Sequence, residues 1–392
     1  MKININLLKI TPNSTSKNLE VGLYGPSDLV IDAWAKHHQL KISTLNGYTN
    51  IEIHDQINLS DLFIKSIPYE WLDGFSPNLN KKLHIGHLSN LVLAKAFKNL
   101  GVCKNTVSIY GDTLKEGLDK STALSLLRSY QDSFDYHPEK EFMASEVKCN
   151  DKLLIDGEGD YKNTKVFNID GTKIVGIKSD QSTSYFYQDV ALAETLGGFN
   201  LYLTGKEQEN HFSLLQKLFP HIKHIGLGLV KISGKKMSSR TNNVVLIEEL
   251  INYLNKDFSN LQLIYNIFAG FILKSAPTAD KNVNLELVNN PKNSPGLYIS
   301  YTTARLISAN CLINNTTNFH SKTLEFAELK SNTNLKPNIL FDALIQHCKE
   351  INSLYGTHVI KDNADNKKMF EELLSDLILG CKKLGLFVIH KV

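Results

Sequence analysis

Ser76-Pro77-Asn78-Leu79-Asn80-Lys81-Lys82-Leu83-His84-Ile85-Gly86-His87 decides how the rest of the chain is read. A proline-containing turn leads to two histidines three residues apart, with a glycine between them. Behind them Leu88, Leu91, Val92, Ala94, Ala96 and Leu100 recur at helical spacing. The stretch is therefore a loop feeding a helix. The first amides of a helix favour an anion, and Gly86 leaves the backbone open to a flat or phosphorylated ligand. Two imidazoles in the first turn add donors for phosphate oxygens. Such a start makes a nucleotide site only with a partner elsewhere in the chain. Taken alone, the pair also fits ordinary surface or core histidines. No nearby Cys or acidic residue has the spacing of a metal set.

Working outward, 67–75 reads as a strand, and 106–110 as a second one ending at Gly111-Asp112. Strand, helix and strand make one β–α–β unit, which calls for a parallel sheet. The stretch 113–164 is helical at 123–130 and then mixes charge and aromatics without period, so it reads as an insertion. Strand character returns at 166–169 and 173–177. Ser184-Tyr185-Phe186-Tyr187-Gln188-Asp189 runs into a helix, 199–204 is a strand, and 208–218 is a helix. Strand-like 225–232 leads to Ser233-Gly234-Lys235-Lys236-Met237-Ser238-Ser239-Arg240, a basic loop with a glycine at its entry. A compact Lys charge and a planar Arg fork suit pyrophosphate, although a solvated basic turn has the same composition. From Ile247 onward the pattern is helical, at 248–256, 258–273, 297–313, 336–355 and 368–385, with 314–334 as a loose connection. Short β runs at 20–23, 40–42 and 51–53 lie between turn residues. The expected division is a small α/β appendage over 1–66, a catalytic domain over 67–247 with an insertion at about 113–164, and a helical bundle over 248–392.

The 392 residues are 42% hydrophobic and 21% charged, the balance of a soluble globular chain. A net charge of +3 excludes a global basic field and leaves room only for a local patch toward nucleic acid. Cys103, Cys149, Cys311, Cys348 and Cys381 are scattered, which argues against structural zinc and fits a reducing compartment. Apolar residues alternate with Asn at the start, so no signal-peptide core is present. No run approaches the roughly 20 apolar residues of a membrane span. The expected location is the cytoplasm, with no membrane partner.

The two motifs together resemble the signatures of the class I aminoacyl-tRNA synthetases. His84-Ile85-Gly86-His87 matches their first signature letter for letter, and Lys236-Met237-Ser238-Ser239-Arg240 is similar to their second. Other residues resemble the arginyl-tRNA synthetase family in particular. They are Ser76-Pro77-Asn78 with Lys81, Lys178-Ser179-Asp180, Ser182-Thr183-Ser184-Tyr185 with Gln188-Asp189, and Glu207-Gln208 with His211. Tyr298, Tyr301, Ala304 and Arg305 are similar to the helix that opens that family's anticodon-binding bundle. The resemblance covers about 70–392, with a gap at the insertion.

This resemblance implies an α/β fold: a Rossmann-like parallel-sheet catalytic domain with an insertion, then an all-α bundle of anticodon-binding type. It implies a monomeric ligase that uses ATP with Mg2+ to join arginine to tRNA. By the same resemblance, His84 and His87 donate to phosphate oxygens, with Gly86, Met237 and Ser238 lining the nucleotide site. Lys236 and Lys81 hold the pyrophosphate. Tyr185 and Asp189 receive the guanidinium, with Asp73 as a second acid. Asn78, Ser76 and Gln208 take the α-amino and carboxyl groups. Two other readings stay open, Asp189 as a helix N-cap and Asp73 as a strand-end turn residue. The chain also departs from the family. Ser239 stands where class I enzymes usually carry a second lysine, Thr241-Asn242 replaces Lys-Gly, Leu88-Ser89 replaces Leu-Arg, and Thr113-Leu114 replaces Trp-Gly. These departures keep two alternatives: a paralogue that modifies a small molecule or peptide outside translation, and an inactive tRNA-binding or regulatory module.

Overall fold

A computed structural model of the chain describes every residue except 12–13, 15–18, 25–28, 46–47, 55, 65, 113–118, 233–234, 237–244 and 362. It begins with β1 (Lys9–Ile10), β2 (Leu19–Tyr24), α1 (Leu29–His37), β3 (Lys41–Leu45), β4 (Tyr48–Ile53) and α2 (Leu59–Leu62). The four strands form an antiparallel sheet in the order β1-β2-β4-β3. Val21, Ile51 and Ile53 alternate toward one face, and Trp34 of α1 closes over them.

The chain then enters β5 (Tyr69–Asp73), α3 (Ile85–Asn99), β6 (Cys103–Tyr110), α4 (Lys120–Ser133) and β7 (Lys140–Met143). A small antiparallel sheet of β8 (Ile155–Asp156), β9 (Lys165–Ile169) and β10 (Thr172–Ile177) follows. After it come α5 (Tyr185–Leu196), β11 (Asn200–Gly205), α6 (Glu209–Leu218) and β12 (Ile222–Leu227). The central sheet runs β12-β11-β5-β6-β7, with every pairing parallel. Thr106 to Tyr110 are all buried, because helices cover both faces of a parallel sheet. From β5 the chain winds outward through β6 to β7, then returns to the other side of β5 for β11 and β12. The order reverses between β5 and β11, and open α/β sheets take ligands at the carboxyl ends of the strands flanking such a reversal. Asp73 is the last residue of β5, and the twin-histidine stretch fills that mouth.

The sequence reading needs three corrections. β7 falls inside 113–164, yet it is the edge strand of the central sheet and not inserted material. The single strand expected at 225–232 is two, β12 and β13 (Val230–Ile232), broken at Gly228. There the chain passes so close to the Ala279 carbonyl that a Cβ would sit 2.0 Å from its oxygen. The loose connection expected at 314–334 contains a helix, α10 (Lys322–Asn334).

β14 (Lys235–Lys236), α7 (Ile247–Leu254), α8 (Leu261–Leu273), β15 (Lys281–Val283) and α9 (Pro295–Ser308) precede α10. After it come α11 (Asn338–Tyr355) and α12 (Ala364–Lys383). α8 and α9 meet backbone to backbone, since a Cβ on Gly296 would lie 1.8 Å from the Asn266 carbonyl oxygen. α8 also packs on α3. Buried Lys95 of α3 donates to the Phe134 carbonyl at 2.6 Å. Its ammonium lies 5.1 Å from the Tyr265 ring and 4.6 Å from that of Phe387. Asn266 holds the tail through the Phe387 amide at 2.9 Å. Phe326 of α10 reaches the core of the N-terminal sheet, 5.4 Å from the Phe63 ring. Among the described residues no helix is long and apolar enough to cross a membrane.

Candidate active site

His84 is the N-cap of α3. Its Nδ1 accepts the Gly86 amide at 3.1 Å, and the Nδ1 of His87 accepts the His84 amide at 3.1 Å. The two rings stack with centroids 3.9 Å apart. Both imidazoles thus replace the hydroxyl and carboxylate of a common capping box. Burial, and then nearby charge, lower both pKa values, that of His87 to about 3, so the rings are neutral. A neutral ring whose Nδ1 accepts a bond carries its proton on Nε2. The helix start therefore presents two fixed Nε2–H donors. Lys81 is among the charges that lower both pKa values. Gly86 acts differently from the sequence reading. Its amide is spent on His84, and a Cβ there would lie 2.9 Å from that ring. The glycine makes room for the imidazole and does not bare backbone to a ligand.

A second cluster lies beside the first. The Asn78 Nδ2 donates to the Tyr185 hydroxyl at 3.4 Å, which joins the turn before α3 to the start of α5. Gly111 permits this placement, because a Cβ on it would meet the Asn78 side chain at 2.8 Å. Ser184 caps α5 through the Tyr187 amide, so Asp189 is a residue of the second helical turn and not the N-cap. Its carboxylate meets His211 of α6 at 2.6 Å. Asp73 accepts from the Ser76 hydroxyl, which itself accepts the Ile109 amide at 2.9 Å. Ser76 thereby orients Asp73. Burial raises the Asp73 pKa to about 7 against the opposing Ser76 bond, and the neighbouring Asp189 adds to the rise.

Gln208 is exposed just ahead of α6, three residues before His211, and no contact joins it to Asn78 or Asp189 among the described residues. The backbone of Lys236 pairs with Lys231, while Met237 and Ser238 lie outside the described residues. The far end of the basic loop meets the histidine stretch directly. Ile85 donates to the Val245 carbonyl at 3.1 Å, and Ile247 to that of Leu83 at 3.2 Å.

Sequence reasoning missed Tyr202. It pairs with Asp73 across β11 and β5, so both side chains share one face of the sheet. It is 1% exposed, and its hydroxyl has no hydrogen-bond partner among the described residues. Burial and the two carboxylates push its phenol upward. A lone tyrosine in an apolar strand carries no signal of this kind.

No family model matches the chain. A stretch of 157 residues is 31% identical to the arginine–tRNA ligase of Pediococcus pentosaceus, covering 33% of this chain and 28% of that one. The match therefore takes in less than a third of that relative's length. In fold, the arginyl-tRNA synthetase of Thermus thermophilus superposes with a TM-score of 0.64 at 12% identity, over 98% of this chain and 96% of that one. The arginyl-tRNA synthetase of Plasmodium falciparum superposes with a TM-score of 0.58 at 17% identity, over 90% and 86%. The parallel sheet with twin histidines at the mouth of its reversal, followed by helices, is thus laid out on a fold that it shares with these two structures. In sequence over that stretch, and in fold over nearly its whole length, the chain is similar to arginyl-tRNA synthetases.

Proposed function

We propose that the protein activates arginine with ATP and transfers the arginyl group to tRNA. One observation carries this reading. Asp189, braced by His211 at 2.6 Å, is close enough to Asp73 to raise its pKa, and Asp73 ends the strand that leads to a helix start with two neutral imidazole donors. Such a site accepts a cation at one end and phosphates at the other. A guanidinium matches the carboxylate of Asp189 as a planar fork, with Tyr185 beside it. Asn78 and Gln208 take the α-amino and carboxyl groups. The carboxylate of arginine then attacks the α-phosphorus of ATP, forming a C–O–P anhydride as the bond to pyrophosphate breaks. The Nε2–H groups of His84 and His87 donate to the phosphate oxygens, where charge accumulates. Lys81 and Lys236 neutralise the departing pyrophosphate. Mg2+ carried by ATP would supply further shielding of the phosphates beside Lys81 and Lys236. Attack by a terminal tRNA hydroxyl on the activated carbonyl completes transfer and releases AMP.

The tRNA assignment draws on α9. Tyr301 is 42% exposed there. The Arg305 guanidinium lies 4.4 Å from the Tyr355 ring and 5.6 Å from that of Tyr301. An exposed ring beside a guanidinium suits an unstacked base.

The test supplies ATP, total tRNA and each amino acid in turn. Arginine alone should be attached to tRNA, and charging with a different amino acid would refute the reading. Asp189→Asn should lower kcat/KM for arginine by roughly 30-fold to 1000-fold, as expected when one partner of a buried charge pair is removed. Ser89, Thr113 and Thr241, where the chain departs from the family it resembles, favour a second reading, in which the adenylate serves an acceptor other than tRNA. Arginine-dependent pyrophosphate release in the presence of tRNA, with no charged tRNA formed, decides for that reading.

A further inference from the structure

β14, which carries Lys236, is not part of the central sheet. Among the described residues it pairs only with β13, at Lys231↔Lys236 and Ile232↔Lys235. β13 in turn lies parallel to β15, a strand of the helical region between α8 and α9. The entry to the basic loop is therefore hung on the bundle.

The attachment is dense. Gly228 donates to the Pro277 carbonyl at 3.0 Å, and Lys281 to that of Leu229 at 2.8 Å. Asp280 accepts the Leu229 amide at 3.0 Å and the Lys231 ammonium at 2.9 Å. At the centre is Lys281, 1% exposed. Its ammonium donates to the carbonyls of Ala276, Pro277 and Ala279 at 3.2, 2.7 and 2.6 Å. An ammonium has three donors, and all are used on backbone oxygens of the turn that leaves α8. A buried lysine without a bonded carboxylate is costly. Here it gathers three carbonyls at a helix exit, two of which also accept backbone amides, Ala276 from Ala279 at 3.0 Å and Pro277 from Gly228 at 3.0 Å.

We infer that Lys281 is a positioning residue for Lys236: by fixing the turn after α8 it fixes β15, and through β13 it sets where the lysine strand meets the nucleotide site. This rests on the function proposed above only for its catalytic consequence. Its structural half stands on the geometry alone.

The experiment compares wild type, Lys281→Met and Lys281→Arg in tRNA charging and in amide exchange. In Lys281→Met, exchange across β13 and β14 should quicken by about tenfold or more, while β12 and α9 keep their protection. Its kcat/KM for ATP should fall about 10-fold to 100-fold, as for a misplaced contact, with the KM for arginine held within about twofold. Lys281→Arg, which keeps the charge and donors, should recover most of both. Asp280→Ala cuts the contacts of Asp280 to Leu229 and Lys231 without burying an unpaired group, and should shift the same readouts less. It replaces Lys281→Met if that variant does not fold. Wild-type exchange rates in the variants overturn the inference. Fast exchange with unchanged ATP kinetics overturns the link to Lys236. A wild type that charges no tRNA refutes the proposed function, and the exchange measurement still judges the positioning.

Discussion

On the function proposed above, the buried carboxyl of Asp73 would make arginine binding depend on pH. Burial and Asp189 hold its pKa at about 7, so below that pH the free protein carries a proton there. A bound guanidinium favours the ionised form and must expel that proton. The sign follows: as pH falls through about 7, the KM for arginine rises, toward a limit of about tenfold per pH unit, and above it the dependence flattens. Asp73→Asn should abolish the slope, measured as arginine KM between roughly pH 6 and pH 8. A slope that survives the substitution places the proton on another group. The twin histidines stood out in the sequence because their spacing is local, whereas Asn78 and Asp189 entered only through a family resemblance. That Asp73 and Asp189 lie close to Tyr202 was not legible, since strand pairing and helix packing bring them together across the fold.

At the level of elements, periodicity located most strands and helices and failed where burial is slight. β7 exposes Lys140 and Glu141 and half-buries its other two residues, so it shows no strand pattern. α10 was concealed by its Asn, Ser and Thr residues. Its buried stripe of Leu324, Ala327 and Ser331 keeps helical spacing but fades from large to small side chains. Glycines misled in the opposite direction, because their meaning lies in what approaches them. The α8–α9 crossing depends on such an approach, with Gly296 against the Asn266 carbonyl. Gly296→Ala should force the helices apart and destabilise the protein by about 1–3 kcal/mol, read as a lower urea midpoint. An unchanged midpoint would mean that the crossing has slack.

The whole molecule is tied together by residues that serve two units at once. Phe326 belongs to α10 in sequence and to the N-terminal sheet in packing. Phe326→Ala should cost about 3–5 kcal/mol, with amide exchange quickened mainly in β2 and β4. Loss spread evenly over the chain would show that the appendage has no separate dependence on α10. Lys95 and Phe387 extend the theme to the order in which the protein is made. Both histidines leave the ribosome long before Phe387 does. Until that ring arrives, the ammonium on the histidine helix faces water on the side the ring will cover. The packing around the histidine helix is therefore completed only once residue 387 has emerged. Nascent chains stalled short of residue 387 should yield α3 to protease sooner than chains in which the tail has emerged and docked. Equal cleavage in the two would sink the idea.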